Sequence, residues 1–213
     1  MDICHSDGGA VGACGDELHH IEENKMIGIG AGIMEKNLKR IGLTLLSAVS
    51  ALFLYIFLHE SGHLIVMLSA GATVTSFRIL TAHVSAMGGE YTTLSSLWLH
   101  ANGAILPMVA AFVYMLVYRK DCRKSFYRIF SFFVSLIPTA SMLAWVILPF
   151  LFLQGNAPAK DDVTHFLNIF SDLFHPLIVS AVSAAIIVIS ITLIYKKGIL
   201  QNYLKEVRQL KQQ

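Results

Sequence analysis

Residues 41–69 read IGLTLLSAVSALFLYIFLHESGHLIVMLS. From Ile41 to Phe77 the only formal charge is Glu60. About 20 mostly apolar residues suffice to cross a bilayer as a helix. The stretch therefore reads as a transmembrane helix carrying one acid, Glu60, between two histidines, His59 and His63. Ionisable groups inside a span cost several kcal/mol unless they are paired, hydrated or metal-bound. Their clustering in one helix therefore needs a chemical reason.

Three more uncharged stretches follow: Tyr91 to Tyr118, Ile129 to Ala159 and Leu173 to Tyr195. The expected spans lie near 43–69, 96–118, 128–152 and 174–195. The fold class is an all-α polytopic membrane protein with about four transmembrane helices. Composition agrees: of 213 residues, 55% are hydrophobic and 14% charged, against roughly 25% charged in soluble domains. This excludes an ordinary cytosolic enzyme, a disordered chain, and collagen-like or disulfide-stapled scaffolds. A net charge of +2 is no footprint for nucleic acid. Cys4, Cys14 and Cys122 suggest no disulfide framework.

Three regions emerge. Residues 1–40 form a polar arm with seven acids against Lys25, Lys36, Lys39 and Arg40. The arm lacks the apolar core of a cleavable signal peptide, so the first span is expected to act as an uncleaved anchor. It reads as a flexible tail; Cys4, His5, Cys14, His19 and His20 match no zinc-finger spacing. Residues 41–195 form the membrane core. Residues 196–213 form an amphipathic basic helix, with Ile199, Leu200, Tyr203, Leu204, Val207 and Leu210 at helical spacing. That helix is expected on the membrane surface, with partner binding as the other option.

Between spans one and two, residues 73–81 are rich in β-branched and aromatic types, with Phe77 and Ile79 sharing a face. His83 to Met87 extends the pattern, Gly88-Gly89 supplies a turn, and Glu90 to Thr93 returns. A short hairpin or bent strand is expected at the membrane surface, lying in water, in protein or against a guest strand, because an open edge in hydrocarbon leaves backbone groups unpaired.

His59-Glu60-Ser61-Gly62-His63 is an H-E-x-x-H motif. Residues four apart share a helix face, so both imidazoles can reach one tetrahedral Zn²⁺ at about 2.0–2.1 Å. Glu60 is then placed to deprotonate a water acidified by the metal. A catalytic zinc needs a third protein ligand and one open position.

On these residues the chain resembles the site-2 protease family of intramembrane zinc metalloproteases. The resemblance rests on the His-Glu-Ser-Gly-His motif at the far end of the first core helix and on the strand-like segment after it. It also rests on Asn102-Gly103-Ala104-Ile105-Leu106-Pro107 in the next span. It covers roughly residues 41–195. It implies a third ligand from an aspartate near a later core helix, here Asp161 or Asp162, with Asp162 favoured for its place before Val-Thr-His-Phe. The family's common form has Asn and Pro before an Asp-Gly pair; here no glycine follows either aspartate. His165 and Glu90 are the reserve ligands. Both aspartates also suit a helix N-cap and first turn.

For Asn102 the resemblance implies a grip on substrate backbone or on the tetrahedral oxyanion; an interhelical hydrogen bond is the alternative. His100 reads as packing or as a support to the ligands. Pro107, Pro138 and Pro149 fall inside spans as kink candidates, and His175-Pro176 reads as a helix start.

The expected function is a zinc-dependent intramembrane endopeptidase acting on transmembrane or juxtamembrane segments of other membrane proteins. Two rivals are an inactive membrane scaffold and an intramembrane metal-ion transporter or sensor. Orientation is contested. Lys36, Lys39 and Arg40, the cations from Arg119 to Arg128, and those from Lys196 to Lys211 share one side of a four-span chain. The positive-inside rule makes that side, with both termini, cytoplasmic. From Arg40 to His59 is about 28 Å of helix, which places the histidines in the distant half. The family resemblance implies a site nearer the cytosol.

Overall fold

The computed structural model describes the backbone of residues 11–208 and the side chains of residues 38–208. Among the described residues six helices and one small sheet follow in order: α1 Val11–Ser69, β1 Thr73–Arg78, β2 His83–Met87, α2 Thr93–Val117, α3 Ser125–Leu153, α4 Asp162–Phe170, α5 Leu177–Lys196 and α6 Ile199–Arg208. Four segments among the described residues are long and apolar enough to cross a membrane: Leu38–Ser69, Thr93–Val117, Ser125–Leu153 and Leu177–Lys196. The chain is a multi-pass α-helical membrane protein, with the sheet placed after the first span.

The second, third and fourth expected spans start about three residues from the observed ones, and the first, expected from 43, starts at Leu38. One difference lies upstream. The helix of the first span runs back to Val11, so the polar arm is helical from there rather than a loose tail. The cysteines and histidines considered as arm metal ligands lie outside the residues whose side chains are described.

The helices meet through small and apolar faces. Ala101, Ala104 and Met108 of α2 pack with Met142 and Trp145 of α3, Val163 and Leu167 of α4, and Val179 of α5. On α3, Ser135 donates to the carbonyl of Ser131 and Thr139 to that of Ser135, at 2.8 and 2.7 Å. Satisfied within their own helix, these buried side chains make a small, apolar-like face for close packing. Pro107 and Pro149 are fully buried inside their helices.

The two strands pair antiparallel, Val74 opposite Ala86 and Phe77 opposite Val84, with an irregularity between Val74 and Ser76. Phe57 of α1 meets Phe77 edge-on at 6.3 Å and ties the hairpin to the first span. The turn is not at Gly88-Gly89. It lies at Ile79–Ala82, where the Ala82 amide donates to the Ile79 carbonyl and Ala82 adopts φ 45°. The glycines end β2, with φ 74° and 89°, and swing the chain back so that the Glu90 amide donates to the Ala70 carbonyl at 2.9 Å. A Cβ on Gly89 would sit 3.0 Å from the Ala72 methyl. The pair is needed for this tight exit, which competes with the turn reading.

Part of the apolar face of the C-terminal helix packs on the protein itself, while Leu204 stays exposed and Leu210 lies outside the described residues. Ile199 is fully buried, Tyr203 stacks on Phe132 of α3 at 4.0 Å, and Asn202 donates to the Tyr118 hydroxyl and the Lys120 carbonyl at 2.8 and 2.9 Å. Arg128 pairs with Glu206 at 2.8 Å. Arg40, Ser125 and Glu206 border one small cavity, and Arg119 and Lys120 border a cleft with Lys196 and Lys197. The three basic segments thus gather at one end of the bundle. The hairpin and the loops flanking α4 occupy the other.

Candidate metal centre

Three elements converge at the end away from the basic segments. The α1 helix presents His59 and His63 one turn apart. The α2 helix passes so close that a Cβ on Gly62 would overlap the Asn102 carbonyl, and one on Gly103 would overlap the His63 imidazole. The two glycines therefore make the room that the imidazoles occupy. The short α4 begins with Asp161 as its N-cap, whose carboxylate accepts from the Val163 amide at 2.8 Å. The cap aims the first turn so that Asp162 faces the histidines.

His59 Nε2, His63 Nε2 and Asp162 Oδ2 form a triangle with sides of 3.2, 3.4 and 3.2 Å. Tetrahedral zinc bonds of about 2.0 Å set ligand atoms about 3.3 Å apart. The triangle has the size of one face of such a site, and the three groups together could hold a metal ion.

The chemistry of the donors agrees. His63 Nδ1 lies 2.7 Å from the Leu99 carbonyl, which can only accept, so Nδ1 carries the proton. In the neutral ring Nε2 is then a bare acceptor, aimed at a carboxylate oxygen that is also an acceptor. Two acceptors at 3.2 Å repel unless a proton or a metal cation lies between them. A carbonyl partner on the remote nitrogen is also what metal-bound histidines use to fix their tautomer. Burial pushes the Asp162 carboxyl up, but His100, His59 and His63 around it outweigh burial and hold it well below the usual carboxylate range. It is ionised at neutral pH. His59 Nδ1 is buried without a partner.

The triangle opens into a cavity of about 440 Å³. Glu60 lines it beside the histidines, although the residue is only 4% exposed. Ala82, His83 and Val84 of the hairpin line it too, as does Lys160. The strand-like pattern of residues 73–93 marks the hairpin residues as able to pair with a guest segment, but only the fold brings the hairpin turn over the end of α1, and Lys160 carries no such signal.

The other sequence candidates take different places. Asp161 is the cap. His165 stacks on His100, ring centroids 5.0 Å apart. Glu90 is exposed in the segment after β2. Asn102 does not line the cavity; its Nδ2 donates to the Gly62 carbonyl at 2.7 Å, the interhelical alternative. One of its two amide hydrogens is therefore engaged by backbone. His100 places Nδ1 3.5 Å from Asp162 Oδ1.

No protein-family model, curated protein or solved structure matches this chain.

Proposed function

We propose that this protein is a zinc-dependent endopeptidase that cleaves transmembrane or juxtamembrane segments of other membrane proteins. The observation that carries the reading is the donor triangle of His59, His63 and Asp162 with Glu60 on the wall of the same cavity, at one end of a membrane-spanning helix. Two imidazole nitrogens and one carboxylate oxygen are a donor set that catalytic zinc takes, with the fourth position left for water or substrate. The motif residues of the site-2 protease resemblance support it; the same residues in an inactive scaffold or a cation transporter are the outcomes against it.

When bound, the metal would polarise a carbonyl and acidify water at neutral pH. The rest is done by the chain. Glu60 makes no hydrogen bond or ion pair with the described residues, so its carboxylate is free to take a proton from water in the cavity and return it to the leaving amine. Leu99 holds His63 in one tautomer. The hairpin borders the cavity through Ala82 to Val84. A substrate segment unwound from helix can pair along a strand edge there, which brings an extended backbone, with its carbonyls exposed, past Glu60.

The test is Glu60→Gln in the full-length protein, purified and loaded with zinc. Zinc content is expected to match the wild type, while cleavage of membrane-peptide substrates falls by about 10²–10⁴-fold, as for a lost general base. Unchanged cleavage by the zinc-loaded variant, or a wild-type protein that binds no zinc, overturns the reading.

A further inference from the structure

Asp162 divides its two carboxylate oxygens between different neighbours. Oδ2 faces His59 and His63 at 3.4 and 3.2 Å. Oδ1 faces His100 Nδ1 at 3.5 Å. A carboxylate only accepts, so this contact is attractive when His100 carries a proton on Nδ1. The His100 ring is itself braced: His165 lies against it at 5.0 Å with the planes 21° apart. His165 follows Asp162 by three residues on α4, about one helical turn on. The α4 helix thus supplies both the carboxylate and the ring that backs its partner on α2.

We propose that His100 is a positioning residue that keeps Asp162 Oδ1 turned away from the donor triangle, so that the carboxylate offers a single oxygen to a metal ion. The inference rests on the metal reading above and adds a role that the motif does not contain. A carboxylate left free can present both oxygens to one cation, which would fill the position that substrate or water needs. A ligating carboxylate held by its own hydrogen-bond partner loses that freedom, and such partners matter for affinity about 10–100-fold. His165 acts one step further out, by fixing the plane of the His100 ring.

The experiment uses the full-length protein in lipid nanodiscs, with zinc affinity measured by chelator competition and coordination followed by visible absorption of the Co²⁺-loaded protein. His100→Ala is expected to weaken zinc about 10–100-fold and to shift the Co²⁺ spectrum toward the weaker bands of higher coordination. His100→Asn, whose amide N–H can replace Nδ1, is expected to recover affinity and spectrum. His165→Phe keeps a flat ring and should stay close to wild type, while His165→Ala moves partway to His100→Ala. Wild-type affinity and spectrum in His100→Ala overturn the inference and leave the metal reading standing. So does an Asn variant as impaired as the Ala variant, since the hydrogen bond would then not be the cause. A wild-type protein that binds neither ion overturns both.

Discussion

Asn102 of α2 donates its side-chain nitrogen to the carbonyl oxygen of Gly62 on α1, at 2.7 Å. The approach is reciprocal, because the missing Cβ of Gly62 is what lets the Asn102 main-chain carbonyl lie against α1. Gly62 immediately precedes His63, and Gly103 immediately follows Asn102. The contact between the two spans and the placement of the imidazole are therefore one structural feature. Within apolar surroundings a carboxamide needs such a partner, and here the partner is backbone.

Asn102→Ala should cost about 0.6–2 kcal/mol of stability, the range for interhelical hydrogen bonds in membranes, and should leave zinc binding largely intact. Gly62→Ala should do more harm, because a methyl pressed into a backbone carbonyl must push the helices apart; overpacking of this kind costs about 1–3 kcal/mol. Thermal unfolding in detergent ranks the two. Equal stability of Gly62→Ala and wild type would contradict the close approach.

Gly103→Ala places a methyl where the His63 ring stands. The expected outcome is a folded protein with sharply reduced zinc content, read by elemental analysis of the purified variant. Gly42→Ala is the control. Nothing lies within 4 Å of its added Cβ, and a helical glycine replaced by alanine gains up to about 1 kcal/mol.

The adjacent aspartates should separate cleanly. Asp161→Ala removes a helix cap and should cost about 0.5–2 kcal/mol with zinc retained. Asp162→Ala removes a donor from the triangle and should lose zinc. Metal analysis of both variants decides; equal zinc content in the two would dissolve the assignment of Asp162.

The gathering of the basic segments at one end of the bundle, with the donor triangle at the other, makes orientation a single binary question. The positive-inside rule predicts a cytoplasmic basic end, with the cavity opening to the opposite face. In a cysteine-free variant, Ser125→Cys should resist a membrane-impermeant thiol reagent in sealed cells, while Asn156→Cys should react. The reverse pattern would invert the protein and turn the cavity toward the cytosol, as the family resemblance implies.

Much of the architecture was legible because it depends on local sequence. Length and apolarity alone mark four spans, since a helix in hydrocarbon must be apolar along its whole length. The placing of His59 and His63 on one face follows from the helical repeat. The strand-like chemistry of residues 73–87 was readable as a hairpin. The position of its turn was not, because Gly88-Gly89 carries the stronger local signal and the true turn contains Ala82 at a positive φ.

What the sequence by itself determined was therefore the four spans, the hairpin after the first, and the two imidazoles that α1 offers. The tertiary structure decided everything that depends on which faces meet. Asp161 and Asp162 are neighbours in the chain, and about 100° of helical rotation separates their directions; only the docking of α4 turns Asp162 to the histidines and leaves Asp161 as the cap. Asn102 could have faced substrate or backbone, and the close crossing of α1 and α2 gave it the Gly62 carbonyl. The apolar stripe of α6 is the same whether it lies on lipid or on protein, and Tyr118, Phe132 and Arg128 from other elements drew it onto α3. Local periodicity says which side of a helix is apolar, but the partner on that side is chosen by contacts between residues far apart in the chain.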